Sequence, residues 1–349
     1  SSSDELSRTI AEYENAILSS GSLAQDIHCS AVDAAGNIYV AGRSPGYSGF
    51  GAEFTFNGTT ITLNNGNNFI IKTNSSGVVQ WYKSIGGTNN PLSKITSICA
   101  DNNGNVYIAG QHNGNGTYNF NFDGTIITSL SGSNDGFLAK CNSSGTLQWL
   151  SNFQGTNTES ISKITCDSAG NVYAALSFTS SVLNIQGIIY NNNMANGSED
   201  NLVLKINSTT AAVIWGRQLV SNGTGYVSTM SMSVDNNQNI YLCGNFSGSV
   251  NFGGVSLSST PVGNIFITKI SDTGTAQWAA HGKSNQFALV SDITITASSS
   301  SVVVTGGFKG NLFFEGTSAS SIDTIYNSSL DYDAYVVKLT SAGQVLNIA

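Results

Sequence analysis

The sequence predicts an all-β protein built from five copies of one unit, on three observations. A short motif returns at near-constant spacing. A second motif runs in phase with it. Charged residues are only 10% of the 349, against about 25% in an average soluble domain, while Gly is 38 and Pro is 3. The first motif reads Asp33-Ala-Ala-Gly36-Asn37-Ile-Tyr39-Val-Ala-Gly42. It recurs from Asp101 to Gly110, from Asp167 to Tyr173 and from Asp235 to Gly244, and in eroded form from Ala297 through Val303 to Gly306. The starts are 68, 66, 68 and 62 residues apart. A period of this kind is the mark of repeat architectures.

The elements follow in order within the second copy, which serves as the pattern. Ile95–Ala100 is an apolar strand, and the Asp-x-x-Gly-Asn segment after it is a tight turn. Val106–Gly110 is apolar on both parities, so both faces of that strand are expected to be buried. Next comes a turn between apolar flanks: Phe56-Asn-Gly58, Phe122-Asp-Gly124, Ile185-Gln-Gly187, Phe252-Gly-Gly254 and Phe314-Glu-Gly316. Such pairs signal a type I′ hairpin. The second motif then gives two strands joined by a turn, here Phe137–Cys141 and Leu147–Leu150. Its lysines are Lys72, Lys140, Lys205, Lys269 and Lys338, followed by Trp81, Trp149, Trp215 and Trp278, with Asn347 in the last Trp position. Five four-stranded antiparallel sheets with buried faces can stack round an axis, and a closed ring removes the open edges an array would keep. The expected architecture is a five-bladed β-propeller over 23–349, with repeats at about 23–90, 91–157, 158–225, 226–286 and 287–349. An open β-solenoid is the alternative.

The stretch Phe246-Ser-Gly-Ser-Val-Asn-Phe-Gly-Gly-Val-Ser-Leu-Ser, with Ile265-Phe-Ile-Thr-Lys-Ile, resembles the SBBP-type bacterial β-propeller repeats. So do Asp-x-x-Gly-Asn-x-Tyr-x-x-Gly and Lys-x-x-x-x-Gly-x-x-x-Trp. The resemblance covers nearly all of 27–346 and is weakest in the fifth repeat, which lacks Asp, Tyr and Trp. It implies a propeller and an exported or surface protein, and it brings no catalytic residues with it.

Residues 1–22 read two ways. Leu6, Ile10, Tyr13 and Ile17 have helical spacing, with a capping box at Ser2 and Glu5 and a stop at Gly21. Yet Tyr13 lies 20 residues before Asp33, as Trp81 lies before Asp101, so the segment can instead be a strand that closes the ring. The absence of Met at position 1 suggests a processed N-terminus.

A residue that recurs once per blade is expected to hold blades together. The lysine stems should lie along aromatic rings with their ammonium groups on carbonyls or carboxylates. The four tryptophans should occupy equivalent buried sites. The motif Asp is expected to cap its turn rather than bind calcium, since the Gly and closing Glu of a calcium loop are missing. Cys29, Cys99, Cys141, Cys166 and Cys243 form no C-x-x-C and read as small buried hydrophobes, though one oxidised pair is not excluded by the sequence. No cofactor or metal is implied.

Function is expected on the longer loops before each first strand. These loops offer Asn89, Asn90, Asn157, Glu159, Asn222, Tyr226, Asn285 and Gln286 as ligand-binding candidates. Amides donate and accept together, which suits a glycan or a neutral surface protein. A net charge of −8 without a basic cluster argues against nucleic acid, and no apolar run is long enough to span a membrane as a helix. The expectation is a non-catalytic, exported or surface-displayed binding or adhesion module, located extracellularly, at the cell surface or on a virion. The alternatives are a self-assembling structural subunit of a filament, surface layer or virion, and, less favoured, a glycoside hydrolase using Asp26 and Asp292, with Lys163 near the axis. His28, His112 and His281 show no ligand spacing. Nine Asn-x-Ser/Thr sequons, at Asn57, Asn74, Asn115, Asn142, Asn196, Asn207, Asn222, Asn245 and Asn327, matter only on a eukaryotic secretory route.

Overall fold

The computed structural model describes residues 19–20, 25–44, 52–87, 93–113, 119–128, 133–192, 199–221, 225–259, 264–296, 301–316, 323–326 and 332–349. The described residues are all-β and antiparallel, with no helix among them. After β1 (Ser19–Ser20), unit 1 comprises β2 (Asp26–Val32), β3 (Ile38–Arg43), β4 (Ala52–Phe56), β5 (Thr59–Leu63), β6 (Asn68–Thr73) and β7 (Val79–Ile85). Unit 2 comprises β8 (Lys94–Ala100), β9 (Val106–Asn113), β10 (Phe120–Phe122), β11 (Thr125–Ile127), β12 (Asn134–Cys141) and β13 (Leu147–Phe153). Unit 3 comprises β14 (Glu159–Cys166), β15 (Val172–Phe178), β16 (Val182–Ile185), β17 (Ile188–Asn191), β18 (Asp200–Ile206) and β19 (Val213–Ser221). Unit 4 comprises β20 (Tyr226–Val234), β21 (Ile240–Ser247), β22 (Ser249–Asn251), β23 (Ser256–Ser258), β24 (Asn264–Ile270) and β25 (Ala276–Ser284). Unit 5 comprises β26 (Phe287–Ile295), β27 (Ser301–Lys309), β28 (Asn311–Gly316), β29 (Asp323–Tyr326), β30 (Asp333–Thr340) and β31 (Val345–Ile348).

Each unit is a four-stranded meander, in the order β2-β3-β6-β7 for unit 1 and the equivalent order in the others. The third and fourth strands are separated from the first two by a hairpin. In units 3 and 4 the last strand also pairs with the hairpin of the next unit, giving six-stranded sheets. The first strands pack against one another in sequence: β2 on β8, β8 on β14, β14 on β20, β20 on β26. The interior is divided between units, with clusters that combine residues of consecutive ones. Tyr39, Ala41 and Ile70 of unit 1 meet Ile98, Phe122 and Phe137 of unit 2.

The turns explain why these residues fold locally as they do. Asp33 Oδ1 accepts from the backbone N–H of Ala35 and Asn37, while Oδ2 accepts from Asn37 Nδ2 at 2.8 Å and Tyr39 Oη at 3.0 Å. The capping expectation therefore holds: both oxygens are committed within the turn. The hairpin turns are left-handed at both central residues, with φ 43° at Asn57 and 79° at Gly58. That is the I′ geometry whose twist matches the flanking strands. Unit 5 departs from it. Glu315 and Gly316 are not a turn but the end of β28, which stays extended because it pairs with β25 at His281 and Ala280.

The three motif residues in each repeat form a single cross-strand row. Tyr39 faces Lys72, which faces Trp81, and the same holds for Tyr107–Lys140–Trp149, Tyr173–Lys205–Trp215 and Tyr241–Lys269–Trp278. Each row docks on the next unit. The indole N–H groups of Trp81, Trp149, Trp215 and Trp278 donate to the carbonyls of Ser143, Ser208, Asp272 and Ser341 at 3.0, 2.9, 2.8 and 3.0 Å. Lys72 and Lys140 donate to the same Ser143 and Ser208 carbonyls. The ammonium groups of Lys72, Lys140, Lys205 and Lys269 sit 5.2–5.6 Å from the tyrosine ring centroids, as the sequence suggested. Gly145 fits here because a Cβ would stand 2.9 Å from the Trp81 ring.

Two expectations need correction. The tryptophans share one environment, but only Trp278 is buried, at 6% exposure; Trp81, Trp149 and Trp215 are half-buried. Trp81 and Trp149 lie on the outermost strand of their sheets, so one ring edge stays wet, and Trp215 lies on the part of β19 that no neighbouring hairpin covers. Unit 5 has Val303, Lys338 and Asn347 in the row, and Lys338 is exposed. Of residues 1–22, read from the sequence as a helix or a closing strand, all but Ser19–Ser20 lie outside the described residues, and those two are strand. All five cysteines are free thiols, and burial pushes Cys29 and Cys141 up to about 12.

Trp278→Ala should destabilise the protein by about 3–5 kcal/mol, as for a core aromatic truncation, and Trp81→Ala by clearly less. Urea unfolding of both variants checks the order, and equal losses would contradict the graded burial.

Candidate functional site

The first strand of every unit carries a bulge at the same place. The extra residue is His28, Thr96, Ser162, Met230 and Ser291 in turn, lying between the paired residues on either side. A bulge turns one side chain out of the alternating pattern. In the first three units that side chain is polar and reaches the next unit. His28 Nδ1 donates to the Ile95 carbonyl at 3.0 Å, Thr96 Oγ1 to the Ile161 carbonyl at 2.5 Å, and Ser162 Oγ to the Thr229 carbonyl at 3.4 Å. The following residue makes a second tie in two units. Ser97 Oγ accepts from the Ile164 N–H at 3.1 Å, and Ser231 Oγ donates to Asp292 Oδ1 at 2.6 Å.

An open groove of about 460 Å³ lies along these bulges. It is lined by His28, Lys94, Thr96, Gln111, Ser160 and Ser162, from β2, β8, β9 and β14. Its lining is hydroxyls, one amide, one imidazole and one ammonium, with no carboxylate. Hydroxyl and amide groups donate and accept together, so the groove is suited to a neutral ligand rich in hydroxyls or to an extended peptide backbone. Lys163 stands apart from this lining, close enough to Cys29 of β2 and Cys243 of β21 to act on both thiols electrostatically. Asp292 also acts on Cys243.

The loop residues chosen from sequence are dispersed among the units. Asn89, Asn90 and Asn222 lie outside the described residues. Asn157, Asn285 and Gln286 are exposed just ahead of a first strand, and Tyr226 is exposed as the first residue of β20. Asn157 lies three residues before Ser160 of the groove, and its loop is pinned by Ser180 and Thr179. Asn285 is occupied by the backbone N–H of Asn311. Glu159 is misplaced as a surface ligand group: it is fully buried.

Glu159 instead forms a buried acid pair with Asp135 of unit 2. Its Oε1 accepts from Ser180 Oγ at 2.5 Å and, at 3.3 Å, from the Ser180 N–H. Asp135 Oδ1 accepts from the Gly155 N–H at 3.3 Å. Burial, reinforced by the Asp135 charge and opposed by Ser180, raises the Glu159 carboxyl from 4.5 to about 7. Asp135 faces His112 across the ladder, and burial lowers that imidazole even against the pull of Asp135.

Sequence reasoning missed the groove because a bulge has no fixed local signature. The available signal was a polar residue five positions before the motif Asp: His28, Thr96 and Ser162 in otherwise apolar strands. It also missed that three sequon asparagines are structural. Asn74, Asn142 and Asn207 accept two backbone N–H bonds each in the turns before the last strands.

No family model and no curated protein matches the chain. Among solved structures, a Niastella koreensis GH74 enzyme is similar at a TM-score of 0.30 and 11% identity, over 92% of this chain and 71% of that one. A likeness at this level carries no functional argument.

The buried acid gives a pH test. With a folded pKa near 7 against 4.5 unfolded, Glu159 contributes stability that is present below pH 4.5 and lost as the pH rises through 7. His112 and His281, both lowered by burial, act oppositely: their contribution is present above pH 6.5 and lost as the pH falls, through about 4 for His281. Comparing the parent with Glu159→Gln isolates the first effect. Between pH 4.5 and 7 the parent should lose on the order of 2–3 kcal/mol relative to the variant. Parallel melting profiles would show that Glu159 is ionised in the fold.

Proposed function

We propose that the five units are blades of a five-bladed β-propeller and that the chain is a non-catalytic, exported or surface-displayed binding module for a glycan or a surface protein. The observation that carries this reading is the groove on the first strands, built by three consecutive blades and lined by neutral hydrogen-bonding groups with a single cation, Lys94. Of the two carboxylates a hydrolase would use, Asp292 accepts from Ser231 and Asp26 is exposed at the start of β2, while the Glu159–Asp135 pair is sealed from solvent.

The second reading, a structural subunit of a filament, surface layer or virion, is favoured by the exposed apolar side chains at the two ends of the blade series. In blade 1 Ile27 is 54% exposed, whereas its equivalents Ile95, Ile161, Thr229 and Val290 are 0–2% exposed beneath the preceding blade. In blade 5 Val336 is 44% exposed on the face that earlier blades press onto their successor.

A glycan array and a surface-protein panel probed with the full chain test the binding reading. A true ligand of the groove should bind about tenfold more weakly to Gln111→Ala, the loss of roughly one directed hydrogen bond. No binder in either screen, or a binder indifferent to Gln111→Ala and Ser160→Ala, would defeat it.

A further inference from the structure

Two of the five cysteines, Cys99 of β8 and Cys166 of β14, lie on the neighbouring first strands of units 2 and 3. Side-chain bonds fix the register between those strands. Thr96 Oγ1 donates to the Ile161 carbonyl, and the Ile164 N–H donates to Ser97 Oγ at 3.1 Å. The strands thus run in the same direction, with Ser97 beside Ile164. Side chains two residues apart in a strand share a face. Two residues further on, that face carries Cys99 on one strand and Cys166 on the other.

The two thiols meet there. Cys99 and Cys166 share a side-chain hydrogen bond, and Cys166 also acts electrostatically on the phenol of Tyr107, which faces Cys99 across the ladder. Cys99 belongs to the buried cluster with Tyr107, Ile164 and Val172, and Cys166 packs against it. Cys99 is buried and Cys166 half-buried. The repeat itself asks for sulfur at neither place. Counted from the bulge, Cys99 corresponds to Ala31, Thr165, Ser233 and Thr294 in the other units. Cys166 corresponds to Val32, Ala100, Val234 and Ile295. Among the described residues, Cys29, Cys141 and Cys243 are perturbed by burial and by lysines or carboxylates, not by a second thiol.

We propose that Cys99 and Cys166 form an oxidation site, which a peroxide converts into a disulfide that clamps unit 2 to unit 3. The more accessible Cys166, as its thiolate, attacks one oxygen of hydrogen peroxide. The O–O bond breaks and hydroxide leaves, so the peroxide is reduced and Cys166 becomes a sulfenic acid. The Cys99 sulfur then attacks the Cys166 sulfur. The S–O bond breaks, and the oxygen leaves as water with the Cys99 proton. In sum, two thiols and one hydrogen peroxide give one disulfide and two waters. Burial raises the Cys99 thiol, which makes it the resolving partner rather than the first to react. The bond would fix β8 against β14, the strands that carry Thr96, Ser160 and Ser162 of the groove. It needs only the packing of those two strands and is independent of what the groove binds.

The test treats the full chain with hydrogen peroxide, unfolds it in the presence of an alkylating agent and digests it with trypsin without reduction. Each cysteine falls in its own tryptic peptide, with Cys99 in 95–140 and Cys166 in 164–205. The expected result is a monomer in which these two peptides are joined while Cys29, Cys141 and Cys243 are alkylated, and in which a reductant restores both thiols. Cys99→Ala and Cys166→Ala place the residue that the repeat already holds at Ala31 and Ala100, and each should abolish the link. Cys99→Ala should in addition leave Cys166 as a sulfenic acid that dimedone traps. A link to another cysteine, a link only between chains, or Cys166 driven to the sulfinic acid without linking would overturn the proposal. So would five intact thiols at a peroxide dose that oxidises the urea-unfolded chain.

Discussion

The structure depends on one repeated contact, the row of Tyr, Lys and Trp that each unit lays on the turn of the next. It couples three scales. Within the turn, burial works against ionised Asp33, but the donors of Asn37, Tyr39 and Ala35 outweigh it and hold the carboxyl below its usual range. Across the sheet, the tyrosine hydroxyl meets that carboxylate and, in units 1 and 2, a glycine carbonyl of the following unit: Tyr39 to Gly104 at 3.0 Å and Tyr107 to Gly170 at 3.3 Å. Burial and the nearby carboxylates push the phenols far up, so they remain neutral donors. Between units, indole and ammonium converge on one carbonyl. A neutral–neutral bond contributes about 1 kcal/mol and a charged one more, so the contact gains its strength by recurring and by aligning buried rings.

This dependence makes the ends of the series different from its middle. A unit in the middle is covered on both faces, one by its predecessor's row and the other by its successor. Unit 1 lacks the former, and Ile27 and Val32 are exposed as a result. Unit 5 has lost the residues of its own row. Substitution there is what the physics allows: a Trp without a carbonyl to meet would expose a large apolar ring, whereas Asn347 is compatible with water. Terminal repeats of stacked architectures show the same polar drift.

Much of this was legible in the sequence because it is local. The motif Asp and Asn set their own turn, Asn57-Gly58 sets its own hairpin, and a strand apolar on both parities has to be buried twice. What failed to show was long-range. That Tyr39, Lys72 and Trp81 form one row depends on pairing register across more than 40 residues. The burial of Glu159 depends on Asp135 of β12 and on Ser180 in the turn between β15 and β16. The half-wet state of Trp81 and Trp149 depends on their strands being at a sheet edge, which no local pattern encodes. The groove depends on bulges, whose only trace is a misplaced polar residue.

The low charge of the chain then becomes a consequence of the architecture rather than a clue to a partner. In units 1 to 4 the second and third strands are largely buried on both faces; β6 and β18 have no residue that is not buried. Charged side chains are therefore few on these strands, and Lys72, Lys140, Lys205 and Lys269 enter them beside a tyrosine ring. The first strands face neighbouring first strands at close range, where Ser, Thr and His can bond a carbonyl and a charge would face another low-dielectric wall. What remains for charges is the outer strands and the turns, where Lys83 meets Asp123 and Lys283 meets Glu315. A surface built this way is sparsely charged, short-chained and rich in paired donors and acceptors. The groove at His28, Thr96 and Gln111 shares this character: apart from Lys94, its lining offers hydrogen-bonding groups rather than charge.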